Sequence, residues 1–360
     1  MLAEENILKL EEYLHQLGEE ERGLFERIFK VFVTEGSLEP PPSMVPWIEA
    51  RFGSINKVLR QKIVKIINLV TLESALFNSL RADRPMEARS SEEVENIIKA
   101  QEGDPFCRPL ELTPADVFGR IRGHYSITAS NVAKYDGFHG LVIFDQHNPL
   151  SFSLEEVKDY FNTALAWAWK AYQADPEARY FFLMWNCLWK SGASIIHGHL
   201  QMTLTRGMHY AKVEALRRVA LEYKERFGSN YFDDLYRVHK ALGIGWEEKG
   251  TRIFVYLTPI KEKETILMAP ELSDSLQEAT YQVLRAFIDR MGVKSFNLAL
   301  YMPPLSPTPE SWEGFPCLIR IVDRGDPSNR TSDFGAMELY AASVISDDPF
   351  QVAKILKESK

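Results

Sequence analysis

The stretch NCLWKSGASIIHGHLQ, residues 186–201, sets two of the chain's eight histidines one residue apart, with a glutamine two further on and a small-residue turn just before them. On an extended strand, residues two apart point to one face, so His197, His199 and Gln201 form a polar row while Gly198 and Leu200 face the other way. Each such side chain costs about 1–3 kcal/mol if buried without a hydrogen-bond partner. The row is therefore poor core material, and it is either solvated or satisfied on an open sheet face or engaged with a ligand. Upstream, KSGAS supplies Gly192 and the Ser194 hydroxyl, a segment whose amides can approach a phosphate closely. Asn186 ends YFFLMWN, otherwise a buried strand by its composition, where a polar amide calls for a partner.

Outward from this stretch the pattern runs twice. HYSITASNVAKY and GLVIFD read as strands, a helix opens at Ser153 with a capping box to Glu156, and YFFLMWN and HGHLQMTLT read as strands again. After helical segments at 211–227 and 233–242, the order strand, strand, helix, strand, strand returns as RIFVYLTP, TILMAP, a helix over 274–291, FNLALYMP and CLIRIVD. The expected fold class is α+β, with duplicated units of antiparallel sheet and packed helices. Residues 6–80 carry helical apolar spacing, including Ile63, Ile66, Ile67 and Val70, broken at EPPPSMVP. The following segment, from SLRADRP to LELTP, reads as an irregular connection. The chain thus divides into a helical N-terminal extension over 1–80, a first unit over 81–210 that carries the site, and a second, degenerate unit over 211–360. Trp167 and Trp169 fall toward the margins of their helix's apolar face, and core packing accounts for them as it does for Trp185 and Trp189.

Composition narrows the function. The 360 residues carry a net charge of −8 and no Lys/Arg run, which argues against a nucleic-acid partner while leaving room for a small anion held by a few arginines. Cys107, Cys187 and Cys317 are scattered and form no C-x-x-C pair, so a disulfide framework is not expected and a reducing cytoplasm is. The first residues are acidic and amphipathic, and no apolar run approaches the ~18 residues of a membrane span. A soluble, unprocessed protein with no membrane partner is the expectation.

Asn186, then Ser194 eight positions on, then His197-Gly198-His199-Leu200-Gln201, resemble the signature N…G-x-S-x-x-H-x-H-x-Q of the histidine-triad superfamily. The resemblance is to its transferase branch of galactose-1-phosphate uridylyltransferases and nucleotide phosphorylases. FNSLRADRP is similar to that branch's R-x-x-R-P, SNVAKYDGFHGLVIFDQHNPL to its N-x-x-x-x…H segment and, more weakly, RGDPSNRTSDFGAMEL to its C-terminal segment. The likeness runs from about Phe77 onward and includes the duplicated unit; the N-terminal extension lies outside it.

The resemblance implies that His199 is the nucleophile, attacking the α-phosphorus of a nucleotide sugar or dinucleotide to give a nucleotidyl-histidine, with transfer to a sugar 1-phosphate, as in galactose metabolism, or to phosphate. It implies that the His197 carbonyl holds the other ring nitrogen of His199, and that Gln201 hydrogen-bonds the phosphoryl group. An amide cannot deliver a proton, which favours transferase over hydrolase. Asn186 and Ser194 match phosphate contacts, Arg81 and Arg84 the arginines that neutralise phosphate charge, and Asn131 a nucleoside contact. No cofactor is required by this chemistry, and a homodimer is implied, with the segment 333–338 reaching into a neighbour's site.

The chain also departs from the family. A structural zinc held there by a C-x-x-C pair and two histidines would here have Asp104, Cys107, His147 and His197, a donor set zinc accepts, though the Asp equally fits a lost site. In the second unit Pro316 and Leu318 stand where an H-x-H pair is common, so no metal is expected there. H-G-H-L-Q differs from the H-P-H-G-Q of the galactose enzyme, and Leu200 is closer to dinucleotide and nucleotide-sugar phosphorylases. A catalytically silent nucleotide-binding protein is the alternative of a different class. His124 and His139 are expected as structural or rim residues, and His15, His209 and His239 on surface helices or loops.

Overall fold

The two passes of the pattern fold into one antiparallel sheet. The computed structural model describes residues 6–82, 91–329, 332 and 334–359, and no helix among them is long and apolar enough to cross a membrane. The strands of the N-terminal part are β1 (Phe29–Ser37), β2 (Arg60–Asn68) and β3 (Ser74–Phe77). The first pass supplies β4 (Ser126–Ser130), β5 (Phe138–Phe144), β6 (Ala178–Cys187) and β7 (His199–Arg206). The second supplies β8 (Gly245–Glu248), β9 (Thr251–Val255), β10 (Thr265–Ala269), β11 (Phe296–Tyr301) and β12 (Cys317–Asp323), and β13 (Ser343–Ile345) follows.

The large sheet has the order β4-β5-β7-β6-β11-β12-β10-β9-β8. The first pass reads β4-β5-β7-β6 inward to the seam, and the second reads the same sequence of roles outward, so β6 pairs β11 across a pseudo-twofold axis. β8 was not legible as a separate strand; it is the far arm of a hairpin whose two turn residues, Lys249 and Gly250, have φ of 49° and 81°. That pair of left-handed residues is what a tight hairpin turn needs.

The ladders fix which residues are equivalent in the two repeats. Ile127, second in β4, pairs Ile143, which pairs His199; Arg252, second in β9, pairs Met268, which pairs Leu318. Leu318 thus holds the place of His199. Two residues on, Leu141 pairs Gln201 and Ile266 pairs Arg320, so Arg320 holds the place of Gln201.

One face of this sheet is apolar and carries the helices. Val142, Phe144, Leu200, Met202, Leu183 and Trp185 are all 5% exposed or less and face the helix Leu154–Ala174, with the helix Asp274–Arg285 beside it. The first helix opens as expected: Ser153 Oγ accepts from the Glu156 amide and Glu156 Oε2 accepts from the Ser153 amide. Trp167 is not marginal but fully buried, because Gly140 beneath it leaves room (a Cβ there would lie 2.5 Å from the indole) and its N–H donates to Asp116 Oδ2 at 2.7 Å. The opposite face of the sheet carries His199 and Gln201.

The N-terminal extension is only partly helical. Helices Leu10–Gln16 and Glu19–Ile28 form, but β1, β2 and β3 join β13 in a second sheet, in the order β1-β2-β3-β13. Ile63, Ile66 and Ile67 stand at helical spacing; β-branched content decides for the strand, where Val64, Ile66 and Asn68 point inward with period two. The connection after β3 likewise contains a helix, Ser91–Ala100, whose Val94 and Ile98 are buried at i, i+4 spacing.

This second sheet caps the degenerate repeat. At the β2–β3 turn, Asn68 Nδ2 donates to the hydroxyls of Tyr231 and Tyr256, Tyr256 donates to Glu73 Oε2, and Glu73 Oε1 lies 2.8 Å from Arg320. Arg320 also pairs with Glu264, itself fully buried. The position equivalent to Gln201 is thus held by an arginine that is ion-paired to the N-terminal extension.

Candidate active site

The polar face of the first repeat carries His199 and Gln201, and the turn between β6 and β7 shapes it. Leu188 at the end of β6 takes φ 65° and Gly192 φ 98°, two left-handed residues that reverse the chain within five positions. Ser191 stabilises the turn by donating to the carbonyls of Cys187 and Leu188, at 2.9 and 2.7 Å. The glycine between the two histidines answers to packing: a Cβ on Gly198 would stand 2.4 Å from Phe144 Cδ2.

His199 is 5% exposed and its ring orientation is fixed. Its Nδ1 lies 2.8 Å from the His197 carbonyl, the contact that the family resemblance implies. A carbonyl can only accept, so Nδ1 carries the proton and the neutral ring keeps its lone pair on Nε2. Burial pushes the His199 pKa below the ordinary imidazole value, with the carbonyl bond opposing it. Phe106 packs edge-on against the ring, with centroids 5.1 Å apart, and holds it in place.

Gln201, two residues along β7, is 8% exposed and its amide is held from one side. Its Oε1 lies 3.1 Å from His139 Nε2 on neighbouring β5. His139 is fully buried and is not a rim residue; Asn131, whose Oδ1 accepts from the Ala133 amide, stands beside it with Nδ2 3.3 Å from the same ring nitrogen.

Asn186 faces the seam. Asn297, its partner in the β6–β11 ladder, donates from Nδ2 to Asn186 Oδ1 at 2.7 Å and to the Ser191 carbonyl at 3.0 Å, while Arg324 donates to Asn297 Oδ1. The Asn186 carbonyl is therefore occupied and its NH2 is the end turned elsewhere. Asn297 and Arg324 were not singled out in the sequence, and His139 was named only as a structural or rim residue, because contacts such as His139 with Gln201 and Asn297 with Asn186 join residues 62 and 111 positions apart. Ser194 is exposed at the mouth of the turn, Arg81 is half-buried in the short helix Ser79–Ala82, and Arg84 lies outside the described residues.

Leu200 does not face this group; it is fully buried on the helix side of the sheet.

Asp104, Cys107, His147 and His197 converge, each offering a ligand atom within 4.8 Å of the others. His197 Nε2–H donates to the Phe144 carbonyl at 2.7 Å and His147 Nε2–H to the Ile98 carbonyl at 2.9 Å. Both Nδ1 atoms are then unprotonated in the neutral rings, and they face each other at 3.1 Å, each 3.5 Å from Cys107 Sγ. Asp104 Oδ1 accepts from the amides of Phe106 and Cys107, leaving Oδ2 buried with no hydrogen-bond partner. Two lone pairs, a sulfur and an orphaned carboxylate oxygen repel one another unless a cation lies among them. A tetrahedral zinc with bonds of about 2.0–2.3 Å separates its ligands by about 3.3–3.8 Å, so the residues present fit such an ion.

Two further histidines are interior, not surface, residues. His209 donates through Nε2 to the Phe181 carbonyl, and His239 through Nδ1 to the Leu235 carbonyl; both are 1% exposed or less. After β12, Trp189 Nε1 donates to the Pro327 carbonyl, and Lys261 and Arg324 stand over the Phe334 ring.

No known family model matches the sequence, and no curated protein matches it either. Among solved structures, an ADP-glucose phosphorylase from Arabidopsis thaliana with bound ADP-glucose is similar with a TM-score of 0.60 and 16% identity, over 81% of this chain and 97% of that one. A uridylyltransferase is similar with a TM-score of 0.56 and 17% identity, over 81% and 97%. A GalT-like protein from Arabidopsis thaliana is similar with a TM-score of 0.57 and 16% identity, over 72% and 92%. At such identities the likeness establishes the fold: the duplicated α+β fold expected from the signature is the one this chain adopts.

Proposed function

We propose that this chain is a nucleotidyltransferase that moves a nucleoside monophosphate from a nucleotide sugar or dinucleotide to phosphate or a sugar 1-phosphate, through a nucleotidyl intermediate on His199. The observation that carries the reading is the 2.8 Å contact of His199 Nδ1 with the His197 carbonyl, which leaves the Nε2 lone pair as the ring's free nucleophile. In the first step Nε2 forms a bond to the α-phosphorus as the bond from phosphorus to the bridging oxygen breaks. The leaving group departs as a sugar phosphate or nucleotide anion and needs no proton. In the second step an acceptor phosphate oxygen forms the new bond and the P–N bond breaks, returning neutral His199.

Gln201 supports transfer over hydrolysis, because its carboxamide can donate to a phosphoryl oxygen but has no proton to give. Asn186, Ser194, Asn131, Arg81 and Arg84 are the residues we assign to substrate contact. Asp104, Cys107, His147 and His197 would hold a zinc whose chemistry is structural: it would tie the 104–107 turn to the strand that carries His199. The turn also bears Phe106, so this link bears on the placement of the nucleophile.

The test is to incubate the protein with UDP-glucose, ADP-glucose or diadenosine tetraphosphate labelled at the α-phosphate and to look for acid-labile label on the protein. Label on wild type that disappears in His199→Ala is the expected result. Label that persists in His199→Ala, or nucleotide binding with no label at all, sinks the mechanism, and the latter outcome selects the silent binder. Release of label by inorganic phosphate but not by galactose 1-phosphate selects a phosphorylase.

A further inference from the structure

We propose that His139 is a positioning residue for Gln201, holding the glutamine carbonyl so that its NH2 group is presented to the phosphoryl oxygens. The inference rests on the nucleotidyl-transfer reading above and extends it by a relay of three hydrogen bonds.

The relay begins in the backbone. The Tyr135 amide donates to His139 Nδ1 at 3.0 Å, so that nitrogen is unprotonated and the proton of the neutral ring sits on Nε2. Nε2–H then donates to Gln201 Oε1 at 3.1 Å. An amide whose oxygen is held from behind has only its nitrogen left to offer forward, and Gln201 Nε2 has no protein acceptor among the described residues. Flipping the carboxamide would set its NH2 against the Nε2–H, and Asn131 Nδ2 already stands as a further donor 3.3 Å from that ring nitrogen.

The surroundings keep the relay in this state. His139 is fully buried, and the Tyr135 ring stacks on it with centroids 4.5 Å apart and planes 21° from parallel. Burial lowers the His139 pKa and favours the neutral ring; nearby Lys134 acts in the same direction, whereas the Gln201 bond, the Ala133 backbone and Asp116 oppose it.

The second repeat contains the same diagonal arrangement with other groups. Glu264 stands two residues before Ile266 as His139 stands two before Leu141, and it pairs with Arg320, the equivalent of Gln201. In both repeats a residue at the start of one strand, β5 or β10, grips a side chain on the strand paired with it, β7 or β12. Only in the first repeat is the gripped side chain a neutral amide left with a donor to spare.

The experiment combines a spectroscopic readout with a double-mutant cycle. Ring 15N shifts of His139 in the ligand-free protein, assigned by their absence in His139→Gln, are expected to show a neutral ring protonated at Nε2 near neutral pH. A proton on Nδ1, or a charged ring, overturns the proposal. For the cycle, the rate of protein labelling by α-labelled ADP-glucose and the affinity for ADP are measured in wild type, His139→Leu, Gln201→Ala and the double variant. His139→Leu is expected to slow labelling roughly five- to tenfold, about the worth of one hydrogen bond, and to have no further effect once Gln201 is alanine. His139→Gln, which keeps a donor near the position of Nε2, is expected to restore most of the rate. Equal slowing by His139→Leu in both backgrounds marks a merely structural role and overturns the proposal. If wild type takes no label, the transfer reading fails by itself, and the same cycle on ADP affinity still decides the role of His139.

Discussion

Asn186 and Asn297 face each other across the seam of the two repeats, the Asn297 NH2 donating to Asn186 Oδ1 at 2.7 Å. Arg324 in turn occupies the Asn297 oxygen, so the orientation of Asn186 is set by residues of the degenerate half. The second repeat has Leu318 in the place of the nucleophile and an ion-paired Arg320 in the place of Gln201, yet it still orients a residue of the first. Its retention has a physical reason: half of the sheet cannot hold the seam amide alone.

Asn297→Asp tests this directly. The replacement is nearly isosteric and keeps an acceptor for Arg324, but it places an oxygen against Asn186 Oδ1. Asn186 is then expected to flip and turn its carbonyl toward the ligand. Nucleotide affinity by calorimetry should fall roughly tenfold, the worth of one good hydrogen bond, while Tm changes little. Unchanged affinity would mean that Asn186 does not contact the nucleotide through its NH2.

The convergence of Asp104, Cys107, His147 and His197 leads to an expectation about metal content. Protein purified without chelator should carry about one zinc per chain by elemental analysis, and Cys107→Ser should lose most of it. Because an ion bound only by the folded chain stabilises it, chelation should lower the Tm of wild type and leave that of Cys107→Ser nearly unmoved. Full stability and no metal after purification in zinc would exclude the site.

What the sequence disclosed, and what it did not, divides by the range of the interaction. The duplicated strand order was legible because period-two alternation and the Ser153 capping box are local. His199 and Gln201 were legible because they stand two apart on one strand. The N-terminal sheet was not, since Ile63, Ile66 and Ile67 stand at helical spacing and only pairing with β1 and β3 overrides it. His139 and Asn297 acquire their places solely from strand register. Leu200 faces the core, although its neighbours in sequence face the site.

Arg320 should be among the costliest residues to replace. It is buried between Glu264, which is fully buried, and Glu73 from the N-terminal sheet. Removing the cation strands a buried carboxylate, so Arg320→Met is expected to cost about 3–5 kcal/mol in urea unfolding. Glu264→Gln added to Arg320→Met should recover part of the loss, because the stranded charge is gone. A cost below about 1 kcal/mol would show that the N-terminal sheet does not depend on this network.

His239 makes the stability of the fold pH-dependent. Its Nδ1–H donates to the Leu235 carbonyl and its Nε2 accepts from the Leu257 amide at 3.2 Å, so the native state has no place for a second proton. Burial pushes its pKa down to about 4, while the unfolded chain titrates near ~6.5. Between these values the unfolded state binds more protons, so stability is complete above the unfolded pKa and declines as pH falls toward the folded one. Glu262 has the opposite sign: burial and then Asp347 push it up to about 7, so the native state binds more protons between its unfolded and folded values and stability falls as pH rises there. Because Glu262 acts equally in both proteins, comparing wild type with His239→Gln isolates the histidine. From pH ~7.5 to ~5, wild type is expected to lose about 2 kcal/mol more than the variant in urea unfolding, and parallel pH profiles would show that His239 does not titrate as its burial requires.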